Sequence, residues 1–254
     1  MDQSLKVIQS LALGVVLVCA TIGAASAFCL QPDPPRVCSE LFTADSVFVG
    51  TVVSSKYIPN ETPDGYDGWT YRLKVAKVYR GPRKKIISVF TENASAKMPL
   101  TVGDKYLLFA AYHASYGLEI YGCGNSGEFP HARATAIEVE RVLRNAKFAS
   151  TGNIGGLVQT YGAGGDPLPA VKMIAQSDVH QYSGITGKDG WFHIQVPPGR
   201  YRVTAEPSKA IDEDWLVSPG DLSFERPNDL EIKAGQCADL EFTASQRVPN
   251  PRIP

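Results

Sequence analysis

From Gly184 to Ala205 the chain reads GITGKDGWFHIQVPPGRYRVTA, its most regular alternation of hydrophobic and polar positions. Phe192, Ile194 and Val196 alternate with His193 and Gln195, and Tyr201 and Val203 with Arg200 and Arg202. A period of two sends one set to a buried face and the other to solvent, which predicts two β-strands. Pro197-Pro198-Gly199 between them carries turn chemistry, because proline presets φ and glycine tolerates positive φ. Gly187-Lys188-Asp189-Gly190 predicts a second turn, so three strands are expected to run as a meander. No side chain in this stretch is a candidate for chemistry. Function is expected upstream.

The same pattern continues on both sides of the meander. Ile154–Tyr161, Ala170–Gln176, Trp215–Val217, Leu230–Ile232 and Asp239–Phe242 are short apolar runs between turn signals, and the whole predicts a seven-stranded antiparallel β-sandwich over residues 153–247. Residues 248–254 are a tail. Ser150-Thr151-Gly152-Asn153 is the expected linker to an earlier unit. That earlier unit, residues 28–149, holds the β-branched run Val47–Val53, the alternating Trp69–Tyr79, and further runs at Ile86–Phe90, Lys105–Ala111 and Leu118–Tyr121. His131–Lys147 then places Ala136, Val139, Leu143 and Ala146 on one helical stripe. Five strands and a terminal helix predict a small closed barrel. The chain is therefore expected to be mostly β.

Residues 1–27 follow another pattern. Lys6 precedes an apolar run from Leu11 to Ile22, and Ala25-Ser26-Ala27 offers small residues where a signal peptidase cuts. The apolar core is too short to span a bilayer. A secretory signal cleaved after Ala27 is expected, leaving an exported chain that starts at Phe28 and carries no membrane segment. A formal net charge of −1 opposes nucleic-acid binding, which needs a basic stripe to release counterions. Cys29, Cys38, Cys123 and Cys237 remain after cleavage, an even number that in an exported chain predicts two disulfides in any of three connectivities. No two of the four have the close spacing of a zinc knuckle, and no metal or other cofactor is expected.

The first unit resembles the netrin-like oligonucleotide/oligosaccharide-binding (OB) barrel of the tissue inhibitors of metalloproteinases. The resemblance rests on Cys29 followed by Pro32, Pro34, Pro35 and Cys38, on Ser46–Val52, Val75–Gly81 and Val102–Phe109, and on Tyr121-Gly122-Cys123-Gly124. It implies a protein partner of the zinc-metalloprotease class, with Cys29 at the inhibitory edge beside Phe28, Leu30, Cys123, Gly124 and Asn125. It would also pair Cys29 with Cys123, which leaves Cys38 for Cys237. This chain departs from that pattern in having one cysteine where the family has Cys-x-Cys, and Phe28 ahead of it. The second unit is similar to the carboxypeptidase regulatory-like, transthyretin-like sandwich, through Gly156–Val158, Leu168–Met173, Thr186–Phe192 and Val196–Val203. That implies a structural or interaction module without a catalytic role. The related Cna B-type domains form Lys–Asn isopeptide bonds, for which Lys172 and Asn228 are the candidates.

Two further patterns imitate chemistry. Gly124-Asn125-Ser126-Gly127 looks like a trypsin-type serine loop, but no base and orienting acid accompany it. His113, His131, His180 and His193 have no metal-ligand spacing. No catalytic residue is assigned. The expectation is a secreted or periplasmic, non-enzymatic binding protein. The other expectation is a structural or adhesive cell-envelope protein whose sandwich serves as spacer or as a carbohydrate- or protein-binding module.

Overall fold

The computed structural model describes residues 36–59, 67–94, 96–160, 165–206, 215–219 and 229–246. The expected signal peptide and tail, and Asn228, lie outside these. The first sheet contains β1 (Ser46–Ile58), β2 (Gly68–Arg80), β3 (Ile86–Glu92), β4 (Lys105–His113), β5 (Gly117–Glu119) and β6 (Gly127–Glu128). Its order is β1-β2-β3-β5-β4-β6, and β1 also pairs with β4, so the pairings of five strands return to their starting point. β1 manages two partners because it is long and irregular. Register shifts fall after Val47, Val49 and Val52, and such bulges bend a strand and increase its twist. Residues Ser46–Gly50 are all buried, since β1 is covered on both faces.

The two faces belong to different clusters. Phe48 and Val52 point inward with Leu73, Val89, Leu108 and Ile120. Val47 and Val49 point outward, with Leu107 and Phe109 of β4, under two helices. These are α1 (Val37–Thr43), which contributes Leu41, and α2 (Arg133–Ala146), which contributes Ala136 and Val139. The stripe expected over 131–147 thus forms, with Leu143 packed beside it. α2 is fastened to β2 through Glu140, which accepts from Lys77 Nζ at 2.7 Å and Tyr79 Oη at 3.3 Å. Burial and the neighbouring carboxylate push the Tyr79 hydroxyl up to about 12.

Eight strands follow: β7 (Gly152–Thr160), β8 (Lys172–Gln176), β9 (Gln181–Ile185), β10 (Trp191–Val196), β11 (Gly199–Glu206), β12 (Trp215–Pro219), β13 (Asp229–Ile232) and β14 (Cys237–Gln246). They form two four-stranded sheets, β10-β7-β14-β12 and β13-β11-β8-β9. One cluster joins the sheets: Ile154, Val158, Phe192, Ile194 and Phe242 from the first meet Met173, Ala175, Tyr201, Val203 and Ile232 from the second. Each sheet alternates buried and exposed positions, as in Trp191–Val196. The hydrophobic effect therefore supplies both faces of a shared core.

Four expectations need correcting. Among the described residues there are eight strands rather than seven, because each of the five apolar runs and each of the three meander segments forms a strand of its own. The pairing is not wholly antiparallel, since β14 runs parallel to β7. The meander is not one sheet: β9 and β11 lie in one sheet and β10 in the other. Alternation reports which face is buried and is silent about which strand lies alongside. Pro197 and Pro198 carry the chain across from β10 to β11, and Tyr201 Oη donates to Pro197 O at 2.8 Å to fasten that corner. The expected linker also shrinks, because Gly152 and Asn153 already belong to β7 and pair with Val196 and Gln195.

Phe242 is 2% exposed and meets Phe192 edge to face, with centroids 6.1 Å apart. Phe242→Ala is expected to lower the unfolding free energy by about 3–5 kcal/mol, the cost of emptying a large aromatic site. Guanidinium unfolding followed by far-ultraviolet circular dichroism measures this. A loss below about 1 kcal/mol would mean that the two sheets do not depend on this contact.

Candidate functional site

α1 is seven residues long, and its N-cap, Arg36, makes no side-chain capping bond. Such a helix is unstable alone, and tertiary contacts must hold it. It lies between the first sheet and β14. Leu41 faces the first sheet and is fully buried there. Cys38, Ser39 and Arg36 face β14. Cys38 is disulfide-bonded to Cys237, 199 residues away, with a Cα–Cα distance of 5.6 Å. Ser39 Oγ accepts from the Asp239 backbone N–H at 2.8 Å. The Arg36 guanidinium donates from Nε and Nη2 to Asp239 Oδ1, the Nε bond being 2.8 Å.

This ion pair is partly desolvated, since the Asp239 side chain is 11% exposed and the Arg36 side chain 38%. Asp239 Oδ2 is buried without a hydrogen-bond partner among the described residues. Three neighbours complete the setting. Arg36 stands 6.0 Å from the Trp191 ring centroid, and its Nη1 is 3.4 Å from His193 Nδ1. Burial first and the Arg36 charge second pull the His193 imidazole below its usual range, against the opposing effect of Asp239. Gly155 leaves the space for the guanidinium, as a Cβ there would collide with Arg36 Nη2.

The residues expected at the inhibitory edge meet the other side of α1. Phe28, Cys29 and Leu30 lie outside the described residues. Cys123 is disulfide-bonded. Beside it, Asn125 donates to Glu40 Oε2 twice, from its backbone N at 2.7 Å and from Nδ2 at 2.6 Å. Gly124 allows this approach, because a Cβ there would collide with Glu40 Oε1. Burial raises the Glu40 carboxyl above its usual range, and the two bonds from Asn125 offset part of that rise. The Cys123–Asn125 loop is thus held on the same short helix that carries Cys38.

Neither Glu40 nor Arg36 stands out in the sequence. Each is one charged residue among many, and their partners lie 85 and 203 positions away. The imitations of chemistry resolve into local bonding. Ser126 Oγ accepts from Phe109 N at 2.8 Å and donates to Phe109 O at 3.4 Å, so its hydroxyl serves the β4 backbone. His113 stacks on Tyr116, and His180 lies edge-on to Tyr182. Lys172 Nζ pairs with Glu206 at 2.5 Å. Among the described residues no cluster of three or more His, Cys, Asp or Glu could hold a metal ion. Tyr71 is buried in the first sheet's core. No family model matches the sequence, and no curated protein matches it either.

Two outcomes are expected at this joint. A disulfide closing a loop of 199 residues removes chain entropy worth about 5 kcal/mol, and the double substitution Cys38→Ser with Cys237→Ser should lower stability by that order. Urea unfolding under non-reducing conditions measures it, and a change under about 1 kcal/mol would show that the joint holds without the bond.

The second concerns Glu40, whose folded-state pKa lies above its unfolded value. Such a carboxyl favours the fold fully below the ordinary carboxylate range and loses that contribution as pH rises through its folded pKa. Glu40→Gln stays neutral and keeps an acceptor oxygen for Asn125. Its melting temperature relative to the parent should therefore be highest at neutral pH, with the difference falling as pH drops towards about 4. A difference that does not change with pH would show that this carboxyl is not held up by burial.

Proposed function

We propose that the chain is an exported, non-enzymatic binding protein built from a netrin-like OB barrel (28–149) and a carboxypeptidase regulatory-like sandwich (153–247). The closed cycle of five strand pairings supports the first assignment, and two face-to-face sheets with one core support the second. The observation that carries the functional reading is the attachment of the Cys123–Asn125 loop to α1 through Glu40. A disulfide at Cys123 and a hydrogen-bonded neighbour preorganise an edge, which lowers the entropy lost when a partner docks. The partner class is a protein, with a zinc metalloprotease as the specific case. In that case the amine and carbonyl of Cys29 would chelate the protease zinc, with Leu30 and the loop packing beside them.

The joint favours a second reading. A disulfide and an ion pair between α1 and β14 make a mechanical link of the kind a cell-envelope spacer or adhesin needs. The two readings separate in an inhibition assay. One recombinant chain begins at Cys29 and another at Phe28, and both are tested against a panel of zinc proteases. Chelation requires a neutral terminal amine on Cys29, whose ordinary pKa is about 7.7–8.0. The Cys29 form should inhibit, more strongly as pH rises through that range, and the Phe28 form should not. Equal inhibition by both, or by neither, would show that chelation is not the mode of action.

A further inference from the structure

The cycle of pairings has one weak seam. β3 and β5 pair only at Phe90 and Glu119, where Ile120 N donates to Phe90 O at 2.9 Å. Towards the start of β3 the two strands part around an open groove of about 550 Å³, a size usual for ligand clefts. Its walls include Ile86, Ile87 and Ser88 on β3, Gly117 and Leu118 on β5, and Tyr112 on β4.

Strand geometry says what the β3 wall presents. Val75 N donates to Lys85 O at 2.9 Å, so Lys85, Ile87 and Val89 turn their backbone groups towards β2. Ile86, Ser88 and Phe90 turn theirs the other way. Phe90 finds β5, whereas Ile86 and Ser88 face the groove without a hydrogen-bond partner among the described residues. Unpaired strand groups beside exposed apolar side chains are a template for an added strand. Ile86 is 37% exposed and Tyr112 68% exposed at this place.

The charge around the groove selects the occupant. Arg83, Lys84 and Lys85 are exposed in succession just before β3, and none forms an ion pair among the described residues. The acid in the wall, Asp45, already accepts from Tyr112 N at 2.6 Å. Beside it, Arg80 Nε donates to Ala44 O at 2.6 Å. Three cations therefore border an open strand edge with little opposing charge.

We propose that this groove binds an extended acidic peptide of a protein partner by strand addition to the Ile86–Ser88 edge. An aliphatic side chain of the peptide packs against Ile86, Leu118 and Tyr112, and its carboxylates reach Arg83, Lys84 and Lys85. Backbone pairing supplies affinity, and the cations select sign and speed encounter. The site is independent of the residue ahead of Cys29, so the protease assay and the following experiment fail separately.

The probe is a fluorescein-labelled peptide of alternating Glu and Val, compared with one of alternating Lys and Val, by anisotropy with the full exported chain. The acidic peptide should bind at least about tenfold more tightly than the basic one, a difference that shrinks with added salt. Arg83→Glu with Lys84→Glu should weaken it by about tenfold or more. Ser88→Pro removes the outward N–H while leaving the β2 ladder intact, as edge positions tolerate proline, and should abolish binding. Should that variant not fold, slowed hydrogen exchange at the Ser88 amide of the unchanged protein on adding peptide replaces it. Absent binding, equal binding of both peptides, or unchanged binding by the Arg83/Lys84 variant would overturn the proposal. So would Ser88 protection that depends on protein concentration alone, which would mean that a second copy fills the groove.

Discussion

The contact on which the rest of the structure depends is the seat of α1 on β14. A helix of seven residues without a side-chain cap has no independent stability. It persists because Leu41 is buried on one side while Cys38, Ser39 and Arg36 are engaged on the other. The disulfide acts chiefly on the unfolded chain, where it removes a very long loop. The ion pair acts on the folded one. It leaves Asp239 Oδ2 without a hydrogen bond among the described residues, so its role is orientation as much as stability. Removing Arg36 alone would take from a mostly buried carboxylate the cation paired with it among the described residues.

That seat also sets the geometry of the Cys123–Asn125 loop. Glu40 is on the same helix turn as Ser39 and Leu41, so the register of α1 on β14 decides where its carboxylate reaches. At the far end of α2 a second contact supports the joint, with Ala146 against the turn at Gly235 that leads into β14. The chain returns there as well: Gly235 N donates to Thr151 O, and Asn153 N to Gln236 O. Two helices and one turn thus converge on the start of β14. The two sets of sheets meet through the hydrogen bond from the Asp239 backbone to Ser39, a covalent bond and a charge pair.

The first sheet shows how a small cycle of strands concentrates its irregularity. β1 bends through three register shifts, and its first five residues are buried on both faces. The thinnest pairing falls at another seam, where β5 is three residues long and pairs with β3 at one position. An open strand edge is a hazard for aggregation, and lysines near it discourage indiscriminate pairing. The same cations make the edge selective for acidic strands.

The sequence by itself determined the elements and their inward faces. Phe192, Ile194, Val196, Tyr201 and Val203 are all buried, because alternation at a period of two is a direct consequence of strand geometry. The stripe of α2 was legible for the same reason, at a period of 3.6. Neighbourhood was not legible. That β10 and β11 belong to different sheets, that β14 lies parallel to β7, and that Glu40 reaches Asn125 are facts about pairs distant in the chain. A single sequence records which side of a residue faces the core and leaves no local trace of what it meets there. α1 is the extreme case: its seven residues carry too weak a helical signal, and only the tertiary contacts with β14 and the first sheet decide that it forms.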